Sequence, residues 1–177
     1  INNPDGTPYT GHGSAVTSND LYVYLTCEEG YLVIDARMLM MAGEGETIPA
    51  LAKVDLDFSP AFMNIEEGWL LAGNFYRAGN YETPEEHHIQ TADGMNQAVM
   101  YAYQEDPSAP YGFSAEVDRV YSIPDQVQGV CATTNGKLIF STSYGLDASH
   151  ILIYDESGLK QSGMFTAGGN DVPLFIL

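Results

Sequence analysis

An all-β fold built from four-stranded antiparallel meanders is what the sequence predicts, on three observations. Short runs rich in Val, Ile, Leu, Tyr and Thr alternate with Gly, Asn and Asp turns along the whole chain. The same order of strands and turns recurs three times, in pattern rather than in identity. Helix has little place, because no long segment joins a 3.6-residue apolar period to start and stop signals. The 177 residues, 45% hydrophobic and 17% charged, suffice for a sizeable core and argue against long disorder.

The first unit, residues 12–57, reads as strands over 14–17, 21–26, 31–35 and 51–57, with turns at 18–20 and 28–30. Between its third and fourth strands, residues 36–42 hold good helix formers but no capping residue, so they read as a loop with about one helical turn. The second unit, residues 60–123, pairs two strands across Glu66 to Gly68. "NQAVMYAYQ" and "EVDRVYSIP" supply its third and fourth strands after an unusually long loop. In the third unit, residues 126–166, Asn135-Gly136 offers the two positive-φ positions of a type I′ hairpin, and residues 155–158 turn the third strand into the fourth.

Leu21, Trp69 and Leu138 begin the second strands at spacings of 48 and 69 residues, the size of propeller blades with an insertion in the middle one. The prediction is therefore about three β-propeller blades in a single domain, with a β-sandwich as the alternative. Three blades do not close a ring, and residues 167–177 read as the first strand of a further blade. An additional chain or missing sequence is expected to complete the propeller.

Charge narrows the partners. With 24 Asp and Glu against 6 Lys and Arg, the net charge of −18 would repel a phosphate backbone or an anionic bilayer. No apolar run is long enough to span a membrane; the best, near residues 36–43, contains Arg37. The chain opens at Ile1 with no basic segment before an apolar one, so a removed signal peptide or a start inside a longer protein is expected. Cys27 and Cys131 have no framework spacing and read as buried inert thiols rather than a bridge or zinc ligands.

Several strings carry a family likeness. "PDQVQGVCATTNGKLIFSTSYG", "SHILIYD" and "GWLLAGNFYRAGNYETPEEHHIQTADGMNQAVMYAY" resemble a group of secreted or lipid-anchored β-propeller proteins of Gram-positive gut bacteria that have no established activity. The likeness covers about residues 10–160. It implies a propeller in an extracellular or surface-anchored protein and no catalytic residues. More distantly the units look like gluconolactonase-type calcium propellers and streptogramin-lyase-like propellers, although no metal-ligand set matches position by position.

In a propeller, the loops entering each first strand and those joining second to third strands gather on one face. The entry loops here supply His12, Asn64 and Gln128; the others supply Cys27, Tyr76, His87, His88, Ser143, Tyr144 and His150. The expected binding face is His12, Tyr76, His87, His88, Gln128, Ser143 and Tyr144, without a resident metal. His87 and His88 follow Glu85 and Glu86, but adjacent residues of an extended segment point apart, so the cluster reads as a mobile polar lid rather than a metal site. His150 reads as structural.

No Gly-x-Ser-x-Gly elbow, phosphate loop or EF-hand pattern occurs. Asp55, Asp57, Glu116 and Asp118 are oxygen ligands that converging loops could offer to calcium. Loop tyrosines Tyr9, Tyr76, Tyr81, Tyr111 and Tyr144 suit a flat ligand, a sugar or a protein surface, or packing between blades. Strand tyrosines Tyr22, Tyr24, Tyr101, Tyr103 and Tyr121 read as half-buried sheet residues. The leading expectation is an extracellular recognition module for a small molecule, glycan or protein. The alternatives are a divalent-metal-dependent lactonase or lyase in which His12 moves a proton, and a structural part of a cell-surface assembly.

Overall fold

Three sheets organise the protein, each built on strands that follow one another along the chain, with the C-terminal hairpin added to the second. The computed structural model describes residues 1–177. β1 (Val16–Ser18), β2 (Tyr22–Cys27), β3 (Gly30–Asp35) and β4 (Ala52–Asp55) form an antiparallel four-stranded meander. The second meander begins with β5 (Phe62–Glu66) and β6 (Trp69–Gly73). A long loop carrying the small hairpin β7 (Ile89–Gln90) and β8 (Met95–Asn96) leads to β9 (Ala98–Gln104) and β10 (Arg119–Ile123). The third sheet is β11 (Val127–Ala132), β12 (Lys137–Thr142) and β13 (His150–Asp155). The chain ends in a hairpin of β14 (Gln161–Ala167) and β15 (Asn170–Ile176).

The first two meanders match the predicted units; the third does not. β14, expected as its fourth strand, pairs with β15, and β15 lies parallel to β10 in the second sheet instead of starting a new blade. Burial accounts for the change of partner: Phe165, Ala167, Val172 and Leu174 enter the core beside Val99, Tyr101 and Val120, whereas Ile151 and Ile153 of β13 stay exposed. A fold of curled, mixed sheets is thus all-β.

Local departures have local causes. Residues 36–41 are helical, α1 (Ala36–Met41), rather than a loop with one turn, because the Asp35 carboxylate accepts the Met38 N–H at 2.9 Å and caps the segment. Asn135-Gly136 does not form the expected type I′ turn. Only Gly136 has positive φ, and Gly136 N–H donates to Thr133 O, which makes a longer loop. The two-residue I′ geometry appears instead at Glu67 and Gly68, φ 50° and 80°, between the paired Glu66 and Trp69.

The second sheet is covered on both faces. Met63, Leu70, Val99, Tyr101 and Tyr103 point toward Tyr24, Tyr31 and Val33 of the first sheet. Their neighbours Phe62, Leu71, Met100, Tyr121 and Ile123 point toward Val127, Val130, Leu138 and Phe140 of the third. Strict alternation therefore yields a β9 buried at six consecutive positions, Ala98 to Tyr103. Of the strand tyrosines, Tyr22 is half-buried as expected, while Tyr24, Tyr101, Tyr103 and Tyr121 are buried: Tyr24 is fully enclosed and Tyr101 is 1% exposed, each with its hydroxyl bonded, to Tyr111 O at 2.7 Å and to Asp57 at 3.1 Å.

Polar bonds join the first strands of the three sheets. Asn64 sits within β5, not in an entry loop; its Nδ2 donates to Val130 O of β11 at 3.0 Å, and its Oδ1 accepts from Thr17 Oγ1 of β1 at 3.3 Å. The same Thr17 oxygen accepts the Ile65 N–H at 3.2 Å. β1, β5 and β11 consequently run side by side.

Packing between β5 and β6 is tight enough to test. A Cβ on Gly73 would lie 2.2 Å from the buried Phe62 ring, so Gly73→Ala is expected to cost about 1–3 kcal/mol in urea unfolding. Unchanged stability would contradict this register.

Candidate functional site

A cleft of about 360 Å³ opens where the three sheets meet, and each sheet contributes to it from topologically equivalent places. The first gives His12 and Ser14 from the segment entering β1, Cys27 from the end of β2 and Glu28 from the turn after it. The second gives Ser59, Pro60 and Ala61 before β5, and Phe75 and Tyr81 after β6. The third gives Gln128 from β11 and Tyr144 after β12. Side-by-side first strands produce this convergence, because their entry segments and the turns that follow the second strands emerge at one end.

The His12 segment is pinned by Glu28. Its Oε1 accepts the His12 N–H at 3.0 Å, and its Oε2 lies 2.9 Å from the Tyr9 hydroxyl. Those bonds, the His12 amide's first, hold the Glu28 carboxyl below its ordinary range. Burial and the same carboxylate push the Tyr9 phenol well above its own. The Glu28 carboxylate and the Tyr9 hydroxyl close over Gly11: a Cβ there would fall 2.3 Å from Glu28 Oε2 and 2.5 Å from the Tyr9 hydroxyl, and these side-chain ends would have to move aside. Glu28 is the one carboxylate in the lining, and each of its oxygens already accepts one bond. The His12 imidazole, the Ser14 hydroxyl and the phenols of Tyr81 and Tyr144 remain available to a ligand.

The opposite wall is aromatic. Phe75 and Tyr81 meet edge to face at 5.4 Å and 89°, and Tyr144 lies 6.2 Å from Phe75 and 6.3 Å from Tyr81. Arg77 braces it: the guanidinium lies 3.8 Å from the Tyr144 ring centre and its Nη1 donates to Asp147 at 3.2 Å. Reciprocal backbone bonds between Arg77 and Tyr81, 2.8 and 2.9 Å, close the loop that carries Tyr81. The Arg77 contacts to Tyr144 and Asp147 tie the second and third sheets' loops together, each with at most about 1 kcal/mol. On the floor, burial raises the Cys27 thiol and keeps it protonated, a poor nucleophile.

Of the seven residues expected on the binding face, His12, Gln128 and Tyr144 line the cleft. Tyr76 does not: it is 7% exposed and packs edge-on against His88, while its neighbour Phe75 takes the cleft position. Ser143 serves through its backbone, donating to Gln126 O and accepting from Gln128 Nε2 at 3.3 Å. His87 is no lid residue; it is 3% exposed against Phe58 and Phe165. His88 Nε2 lies 3.1 Å from Thr83 Oγ1, whose own proton goes to Gln97 O. His150 opens β13 on the exposed side. Glu28, Phe75 and the Ser59–Ala61 segment are lining residues that patterning missed.

Elsewhere, Asp55, Asp57 and Glu116 border a separate cavity of about 190 Å³, but Asp57 is occupied by the Tyr101 hydroxyl and the Gly168 N–H. Asp118 pairs with Arg119 at 2.8 Å. Both cysteines are free thiols, and Cys131, expected to be buried, is exposed beside Glu66. No protein-family model, curated protein or solved structure matches the chain.

His87 makes stability sensitive to mild acid. The Asn74 Oδ1 accepts the Val99 N–H, so its Nδ2 donates to His87 Nδ1 at 2.8 Å and the neutral ring carries its proton on Nε2. Burial depresses the folded-state pKa below the ordinary 6.5, against the opposing pull of Glu86 and Asp57. The unfolded chain then binds the extra proton first, and stability is expected to fall as pH drops below about 6.5. Denaturant midpoints from pH 7.5 to 5.5 should show a decline that His87→Gln flattens; parallel profiles would contradict it.

Proposed function

We propose that this protein is a binding module of the β-propeller kind whose ligand sits in the cleft between its three sheets. The carrying observation is the convergence of all three sheets, through equivalent segments, on one cleft that pairs free hydrogen-bonding groups with a braced aromatic wall. Such a mixture of apolar surface and a few placed polar groups is what small-ligand sites use. The same features favour recognition over catalysis: the thiol is held protonated and the carboxylate of Glu28 is spent on the His12 loop. Action outside the cell, on a soluble or surface-displayed ligand, follows from the resemblance to exported propellers and belongs to this proposal.

Saturation-transfer NMR on the whole chain, with a panel of neutral saccharides, nucleosides and amino-acid amides, tests it. At least one class is expected to bind, with affinity reduced about tenfold or more in His12→Ala and Tyr144→Ala, both melting as the parent does. A panel without binders, or binders indifferent to both substitutions, would overturn the reading.

A further inference from the structure

Resting on that binding reading, we infer that the cleft takes an uncharged saccharide, with one sugar face laid on the Tyr81 ring and its hydroxyl rim turned to His12, Ser14 and Gln128. A sugar ring has two unlike surfaces, an apolar face of C–H groups and a rim of hydroxyls that both donate and accept. The cleft has the same two. Tyr81 is 56% exposed, ample for stacking, and stands nearly perpendicular to its neighbours, so its orientation is set before a ligand arrives.

The polar side matches a hydroxyl rim rather than an ion. Imidazole and carboxamide each donate and accept, and a serine hydroxyl does both. Gln128 is oriented by its bond to Ser143 O, leaving its carbonyl oxygen free. The lining holds no Lys or Arg, and Arg77 behind the aromatic wall is engaged by the Tyr144 ring and by Asp147, so an anionic ligand finds no counter-charge. Each Glu28 oxygen already accepts one bond, from the His12 N–H or the Tyr9 hydroxyl, and the negative charge the carboxylate keeps disfavours an anionic ligand further. A cleft of about 360 Å³ has room for a mono- or disaccharide end.

An array of neutral and acidic glycans, probed with the full chain and followed by calorimetry on the best neutral binder, decides the matter. Binding to neutral glycans is expected, with affinity unchanged within about twofold between low and high salt because no charge is engaged. Tyr81→Ala is expected to weaken it about tenfold or more and Tyr81→Phe to retain it within about threefold, since stacking needs the ring and not the hydroxyl. Binding confined to acidic glycans, or equal loss in Tyr81→Phe and Tyr81→Ala, would overturn the inference. If no glycan binds but another neutral compound does so through His12 and Tyr144, the saccharide assignment fails while the binding reading stands. If nothing binds, both fail.

Discussion

The seam at Asn64 is the constraint on which the site depends. One half-buried carboxamide in β5 reaches β1 through Thr17 and β11 through Val130, and thereby sets the first strands of all three sheets against one another. Polar groups placed between packed layers cost free energy when they lose their partners, so this set of bonds specifies one alignment and disfavours slipped ones. Because the entry segments continue directly from these strands, the alignment also decides which loops share the cleft.

Packing on both faces of the second sheet supplies the stiffness. Its alternating side chains fill two separate interfaces, one with the first sheet and one with the third, and the β14–β15 hairpin extends the former. The loops at the cleft end are therefore anchored in three layers that cannot shift independently without opening a core. Additional fastening is local: Glu28 on the His12 segment and Arg77 between the Tyr81 and Tyr144 loops. A ligand would meet a surface already ordered, which lowers the entropic cost of binding.

Legibility from sequence followed the reach of each signal. Two meanders are legible because turn residues and strand patterns are local, and that His12, Gln128 and Tyr144 share a cleft is legible because their positions relative to the strands decide their location. Phe75 and Tyr76 were exchanged, since in extended chain neighbours face opposite ways and a one-residue choice of register reverses the answer. His87 looked like an exposed loop residue, but burial against Phe58 and Phe165 depends on residues 29 and 78 positions away. The choice of β14 between β13 and β15 was equally nonlocal, settled by how much apolar surface each partner buries.

The most direct test of the central claim is hydrogen exchange, with urea unfolding, on Asn64→Ala. The account expects a loss of about 1–3 kcal/mol and faster exchange in β1, β5 and β11 together, because one side chain holds all three. A loss within a few tenths of a kcal/mol, or faster exchange confined to β5, would contradict it.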